Sequence, residues 1–186
     1  TIIVNQVWMA ENLAYLTSVF KPSQYSTSDQ APRAYVLDYD GNSVVAAKAT
    51  ANYKKLGVLY NWYVAENACP QGWRMPTAND WAELKLNIGG GTTSGTILKS
   101  TTGWVDSYRG DAANGTDDYE FSAYPSGMFA SALGFMNHND AVVFWTSNAK
   151  DEHNQTIYRL NAQNDNFAST YGNKFNGYSV RCIKED

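Results

Sequence analysis

Residues 76–88 read Pro-Thr-Ala-Asn-Asp-Trp-Ala-Glu-Leu-Lys-Leu-Asn-Ile and carry the clearest local signal in the chain. Thr77 stands three residues before Asp80, the spacing at which two side chains satisfy free amides in the first turn of a helix. Apolar residues then recur at three- and four-residue intervals, as on one face of a helix. We predict a helix over residues 78–88, ended by the three glycines that follow.

Strand patterns lie on both sides of this helix. Residues 2–13 begin with β-branched side chains and predict a strand that runs into a turn, with Trp8 and Leu13 as core anchors. Further strands are predicted over residues 142–145, 156–160 and 178–183. Most of the predicted strands therefore come late in the chain.

Two other segments complete the prediction of secondary structure. Residues 34–46 resemble a hairpin whose turn uses Asp40 and Gly41. Residues 56–67 have aromatic residues at helical spacing and predict a short amphipathic helix. Two early helices and several late strands, without β-α-β alternation, predict one α+β domain over residues 1–186.

Length and composition narrow the class of protein. The chain has 186 residues, a net charge of −4 and no cluster of lysine and arginine, so we expect no nucleic-acid partner. No apolar run approaches the roughly 20 residues that a membrane helix needs, so we expect no direct membrane insertion. The first residues do not resemble a signal peptide, and we expect a mature form or an excised domain.

The motifs of enzymes and metal sites are absent from the sequence. Residues 38–42 imitate a calcium loop, but no glutamate follows at its twelfth position. The glycines at 89–91 follow a predicted helix and lack the lysine of a phosphate loop. His138 and His153 both lie in loop-like, polar contexts. We predict no catalytic residue, no metal ligand and no cofactor.

Cys69 and Cys182 are the two cysteines of the chain, and neither lies in a zinc-binding context. They are two free buried thiols or one disulfide. We favour the disulfide, which closes a loop of more than a hundred residues and removes about 4 to 5 kcal/mol of unfolded-state entropy.

Residues 148–176 are rich in asparagine and tyrosine and poor in aliphatic side chains. Tyrosine gives rigid amphipathic contact area and asparagine gives adaptable hydrogen bonds, the mixture that antibody paratopes use. The segment is either a binding surface or a set of solvated edge loops whose asparagines satisfy turn backbone. The predicted contact residues, with two upstream aromatics, are Trp104, Tyr108, Asn148, His153, Asn154, Tyr158, Asn161, Gln163, Asn164, Asn166, Tyr171 and Asn173.

Seven landmarks in order give the sequence a family resemblance. They are Val7-Trp-Met-Ala-Glu-Asn-Leu13, Gly57-Val-Leu-Tyr-Asn-Trp62, Cys69-Pro-Gln-Gly-Trp-Arg-Met-Pro-Thr77 followed by Trp81 and Leu84, Leu98-Lys-Ser-Thr-Thr-Gly-Trp104, Phe121-Ser-Ala-Tyr-Pro-Ser-Gly127, Phe144-Trp-Thr-Ser147 and Gly177-Tyr-Ser-Val-Arg-Cys-Ile-Lys184. Together they resemble the Fibrobacter succinogenes major paralogous domain over essentially the whole chain.

This resemblance implies a C-type-lectin-like fold, with two short helices packed on small, mostly antiparallel sheets with long loops. It implies an exported bacterial surface domain, often in lipoproteins or adhesin-like proteins. The two cysteines fall at matching landmarks, which adds support for the disulfide. The fold is related to the formylglycine-generating enzyme, but this chain lacks a nearby cysteine pair for that chemistry, and it lacks the Glu-Pro-Asn or Gln-Pro-Asp triplet of calcium-dependent lectins.

The function we expect is extracellular, non-enzymatic recognition of a glycan or a surface protein through residues 148–176. In some proteins of this fold, retroelements that mutate adenines enrich asparagine and tyrosine at the binding surface, and this segment has that composition. The alternatives are a structural tip or stalk module of a surface appendage and, with less support, an enzyme of the formylglycine-generating type.

Overall fold

A computed structural model describes residues 1–24 and 30–185, in which short helices surround a six-stranded sheet. The strands are β1 (Ile2–Ile3), β2 (Gln6–Val7), β3 (Ala34–Tyr35), β4 (Leu59–Tyr60), β5 (Trp73–Arg74), β6 (Met128–Ala130), β7 (Gly134–Met136), β8 (Ala141–Ala149), β9 (Asn154–Asn161), β10 (Asn164–Asn173), β11 (Tyr178–Ser179) and β12 (Ile183–Lys184). The helices are α1 (Val44–Ala49), α2 (Ala51–Leu56), α3 (Trp62–Ala65), α4 (Ala78–Asn87) and α5 (Ser94–Leu98). The described residues thus form five short α-helices, where the sequence predicted two.

The large sheet has the strand order β10-β9-β8-β11-β4-β3. Its neighbours pair antiparallel, except that β11 runs parallel to β8. The remaining pairs, β1 with β2, β5 with β12 and β6 with β7, are antiparallel two-stranded sheets. The predicted α+β architecture with small, mostly antiparallel sheets is confirmed.

The large sheet has a hydrophobic cluster on each face. Along β8, Val142 and Phe144 join the cluster that contains Trp81, whereas Val143 and Trp145 join the other cluster. Successive side chains of a strand point to opposite faces, so the first six residues of β8 separate two cores and are buried on both sides, whereas its last three residues are exposed. This explains why its sequence is a continuous apolar run rather than an alternating one.

The start of α4 is built as the sequence predicts. The Thr77 side chain accepts a hydrogen bond from the Asp80 amide at 3.1 Å, and the Asp80 carboxylate accepts one from the Thr77 amide at 2.6 Å. Arg74 also donates two hydrogen bonds to that carboxylate, at 2.6 and 3.0 Å. The helix packs through Trp81 and Leu84, both fully buried, and ends one residue before the predicted end.

Replacing Asp80 with asparagine is expected to destabilise the domain by about 2 kcal/mol at pH 7. Burial favours the neutral acid, but the hydrogen bonds from Arg74 and Thr77 outweigh it and hold the pKa of Asp80 below its usual value. A lowered pKa stabilises the fold above about pH 4, and this contribution is lost as the pH falls through the pKa of the folded state. The difference in stability between the wild type and Asp80→Asn should therefore begin to shrink below about pH 4 and disappear below the pKa of the folded state.

Urea unfolding at pH 7 and at about pH 3 measures both effects. Asp118→Asn, which removes an exposed carboxylate, is the control and should differ from the wild type by less than about 0.5 kcal/mol at either pH. A difference between Asp80→Asn and the wild type that stays constant with pH would show that the Asp80 charge does not stabilise the fold.

Two segments differ from the prediction. The hairpin predicted over residues 34–46 is wrong, because the chain after β3 enters α1, where Ser43 accepts a hydrogen bond from the Ala46 amide. The helix predicted over residues 56–67 is wrong in its first half, since β4 lies there and pairs with β3 and β11. The local pattern did not reveal these distant strand partners.

The late strands follow the prediction more closely. The predicted strands at 142–145 and 156–160 lie inside β8 and β9. Residues 178–183 form two short strands, β11 and β12, instead of one, and both sides of the segment are buried. Trp8 and Leu13, the predicted anchors, are buried as well.

Cys69 and Cys182 form a disulfide, as predicted, with their Cα atoms 5.9 Å apart. The bond joins the segment between α3 and β5 to the segment between β11 and β12, across 113 positions of sequence. No helix in the described part of the chain is long and apolar enough to span a membrane.

Candidate functional site

The hairpin of β9 and β10 carries most of the predicted contact residues. Its register places Asn154 opposite Asn173, Thr156 opposite Tyr171 and Tyr158 opposite Ser169. Residues that face each other across an antiparallel pair lie on the same side of the sheet. We call the outer part of this side, formed by Asn154, Thr156, Tyr171 and Asn173, the Tyr171 face.

Tyr171 is the most exposed side chain of this face, at 58%. The Lys150 ammonium lies 4.7 Å from the centre of its ring, a cation–π contact that holds the phenol in place at the surface. An exposed aromatic ring among amides and a hydroxyl offers both apolar contact area and hydrogen bonds. This combination is suited to contact with a ligand.

The inner border of the Tyr171 face is fixed to the start of α4. The Asn148 side chain accepts a hydrogen bond from the Ala78 amide at 2.6 Å, and the Tyr158 hydroxyl donates one to the Ala78 carbonyl at 3.2 Å. Tyr158 is buried against Trp81, which raises the pKa of its phenol. Asn148 and Tyr158 therefore attach the inner border of the Tyr171 face to the first residue of α4.

The loop between β8 and β9 is shaped by its own polar side chains. The Asp151 carboxylate accepts hydrogen bonds from the amides of His153 and Asn154, both at 2.8 Å, and these hold the pKa of Asp151 below its usual value. The Asn173 side chain accepts a hydrogen bond from the Phe175 amide in the next turn. His153 is exposed. These contacts match the alternative in which asparagines satisfy turn backbone.

A second group of predicted residues lies at the other end of the hairpin. Asn161 accepts hydrogen bonds from the amides of Gln163 and Asn164, at 2.8 and 3.1 Å, and so closes the turn between β9 and β10. Asn166 accepts one from the Lys85 ammonium of α4. Asn161 lies seven positions after Asn154, or about 23 Å further along the strand. The predicted residues thus divide between two ends of one hairpin.

Tyr108 belongs to this second group. Its backbone amide donates to the Gln163 side chain at 2.9 Å, while Gln163 donates to Asp140 at 3.0 Å. The Tyr108 side chain itself is 92% exposed. The turn of the hairpin therefore anchors the loop that presents Tyr108.

Trp104 lies in the interior. Its ring is buried, its indole nitrogen donates to the Ala123 carbonyl at 3.1 Å, and the Lys99 ammonium lies 5.1 Å from the ring centre. A ligand at the surface does not reach the Trp104 ring, which acts in packing. The residues described contain no group of three His, Cys, Asp or Glu side chains placed to hold a metal ion.

Sequence reasoning missed Thr156, which belongs to the Tyr171 face, and Lys150, which contacts the Tyr171 ring. The two-residue period of a strand was the available signal for Thr156, because it lies between Asn154 and Tyr158 on the same side of β9. Lys150 carried no comparable signal, since its contact with Tyr171 depends on the register of two strands.

Comparison with known families gives one result. A family model described as the Fibrobacter succinogenes major domain matches residues 2–184. No match was found among curated proteins or among solved structures.

Proposed function

We propose, given that the chain belongs to the Fibrobacter succinogenes major domain family, that it is an extracellular, non-enzymatic recognition domain that binds a glycan or a surface protein. We further infer that its α+β architecture is of the C-type-lectin-like kind. The binding surface we propose is the Tyr171 face. If a retroelement that mutates adenines diversifies the gene, the varied positions would be the asparagines and the tyrosine of the Tyr171 face.

The observation that supports this proposal best is the environment of Tyr171. Its ring is exposed on a strand, held by Lys150 and flanked by Asn173 and Thr156, so the contact area is rigid before any ligand arrives. Preorganised aromatic side chains lower the entropy cost of binding and often dominate interface energies.

The disulfide supports the extracellular location and weighs against the enzyme alternative. Disulfides persist in oxidising compartments and are rare in the cytosol. Both cysteines of the chain are joined in this bond, so neither is the free thiol that chemistry of the formylglycine-generating type requires.

Binding of the labelled domain to a glycan array and to intact bacterial and host cells tests the proposal. Tyr171→Ala is expected to weaken binding at least about tenfold, the usual loss at an aromatic hot spot. Tyr108→Ala is the matched control, because it removes a tyrosine that is even more exposed and that lies on the loop anchored at the other end of the hairpin, and its binding should stay within about twofold of the wild type.

Three results would count against the Tyr171 face. Loss of binding in Tyr108→Ala alone would move the contact surface to the turn of the hairpin. Equal binding of Tyr171→Ala and the wild type would remove the face from recognition. Absence of binding to every glycan and cell tested would favour the tip or stalk module.

A further inference from the structure

A cleft of about 630 Å³ lies apart from the hairpin and from every predicted contact residue. Its walls come from residues 10–12 after β2, the end of α2 and residues 120–124, and its floor contains Arg181. This volume is within the range of small-molecule sites, about 300 to 1,000 Å³. Lys55 and Tyr124 also line an adjoining hollow of about 130 Å³, which extends the cleft towards His138.

The floor of the cleft holds a buried positive charge. Arg181 is 1% exposed, and its guanidinium donates to the Asn12 side chain at 2.6 and 3.1 Å and to the carbonyls of Met9, Phe121 and Ser122. These bonds join residues 9–12 to residues 121–122 across the floor of the cleft. They also mean that the arginine acts on a ligand through its charge and not through a free N–H group.

No carboxylate lies within ion-pair distance of Arg181 in the described part of the chain. Burial lowers the pKa of Arg181 to about 9, and the acidic groups of Asp117 and Glu11 partly offset that effect. The side chain is therefore a cation at neutral pH, and the groups that its guanidinium contacts directly are all neutral carbonyl oxygens. A buried cation with no carboxylate in direct contact leaves a positive field at the floor of the cleft, which the more distant Asp117 and Glu11 reduce but do not pair.

The rim of the cleft carries charged side chains that do not pair with one another. Glu11, Lys54 and Glu120 are exposed and make no side-chain hydrogen bond or ion pair with any described residue. The Lys55 ammonium lies 4.7 Å from the centre of the Tyr124 ring. Three cations and two carboxylates thus line the cleft, a net charge of +1.

Unusual backbone conformations are concentrated around this cleft. Seven non-glycine residues of the described part have positive φ, and six of them line or adjoin the cleft and its hollow. They are Asp38, Asp117, Glu120, Ser122, Asn137 and Asn139. Asparagine and aspartate tolerate a positive φ, but glutamate and serine adopt it only at a cost in conformational free energy. Backbone strain of this kind is concentrated at functional sites.

Specific contacts maintain these conformations. The Asp117 carboxylate accepts hydrogen bonds from the amide and the hydroxyl of Ser122, at 2.6 and 2.7 Å, and thereby fixes the loop that carries Glu120. Beside the adjoining hollow, the Asp38 carboxylate lies 3.4 Å from a ring nitrogen of His138, which lines the hollow. The walls are therefore held in one arrangement by side chains behind them.

We propose that this cleft is a binding site for a saccharide that carries a carboxylate group, such as a uronic or sialic acid unit. Sugar hydroxyls both donate and accept, so they satisfy the acceptor-only glutamates and the donor-only lysines of the rim together. Tyr124 offers apolar area to the ring of the sugar. The excess positive charge of the floor and rim selects the acidic sugar over the neutral one. This site is independent of the Tyr171 face.

Calorimetric titration with sialyllactose and with trigalacturonic acid, each beside its methyl ester, tests the inference. The ester keeps the hydroxyls and removes the negative charge. At least one acidic saccharide should bind, and its methyl ester should bind at least about tenfold more weakly. The double variant Lys54→Ala/Lys55→Ala should lower the affinity for the acidic saccharide to a similar extent. The control Lys21→Ala/Lys48→Ala removes two lysines outside the cleft and should bind as the wild type does.

Tyr171→Ala separates this inference from the proposed function. The variant should retain full affinity for the acidic saccharide. Loss of saccharide binding in Tyr171→Ala, with binding kept in Lys54→Ala/Lys55→Ala, would place the sugar on the Tyr171 face and overturn the inference. No binding of either acid at about 1 mM, or equal binding of acid and ester, would overturn it as well.

Discussion

Replacing Cys69 and Cys182 with alanine is expected to lower the free energy of unfolding by about 4 to 5 kcal/mol. The bond closes a loop across 113 positions, and a loop of this length restricts the unfolded chain strongly. Since domains of this size are typically stable by only about 5 to 15 kcal/mol, the loss is a large share of the total. Urea unfolding of the two proteins at neutral pH measures the difference.

Reduced wild-type protein is the matched control for this prediction. It lacks the bond but keeps both sulfur atoms, so it separates the loop effect from the packing lost when the buried Cys182 side chain is shortened. The reduced wild type and the double alanine variant should unfold at similar urea concentrations. A difference of less than about 1 kcal/mol between oxidised and reduced protein would show that the unfolded chain stays compact without the bond.

Trp81→Ala is expected to destabilise the domain by about 3 to 5 kcal/mol, the range for large aromatic residues in a core. The Trp81 ring is fully buried, and its centre lies 4.4 Å from that of Trp8, 5.2 Å from that of Phe144 and 5.5 Å from that of Phe167. It therefore joins the N-terminal segment, α4 and the large sheet in one cluster. Thermal and urea unfolding both report the change.

Leu86→Ala is the control for Trp81→Ala, because it lies on the same helix but is 72% exposed. This substitution should change stability by less than about 0.5 kcal/mol. If Trp81→Ala and Leu86→Ala cost the same, Trp81 would not be the centre of the core.

The features that were predictable from the sequence depend on interactions between residues that lie close together in the sequence. The cap of α4 needs only Thr77 and Asp80, three residues apart, and both bonds are present. The failures depend on distant partners. Residues 34–46 contain a turn signal, but the strand that pairs with β3 lies more than twenty residues downstream, and Ser43 caps a helix where a return strand was expected.

The candidate sites were likewise hard to predict, because they depend on residues that are distant in sequence. Composition located the hairpin of β9 and β10, but only its register divides the asparagines between two ends and leaves Tyr171 exposed on one of them. The cleft combines Glu11, Lys55, Glu120 and Arg181, which are spread over most of the chain. A site assembled from such distant residues has no local pattern to detect.

The disulfide also sets how far the domain lengthens under tension. When a force pulls the two ends of the chain apart, the covalent path runs directly from Cys69 to Cys182 and bypasses the residues between them. Those 113 positions correspond to roughly 380 Å of extended polypeptide, at about 3.4 Å per residue. A pulling force cannot release this length while the disulfide is intact. While the bond is closed, a stretched domain releases only the segments outside it, and the whole hairpin of β9 and β10 stays within the closed loop.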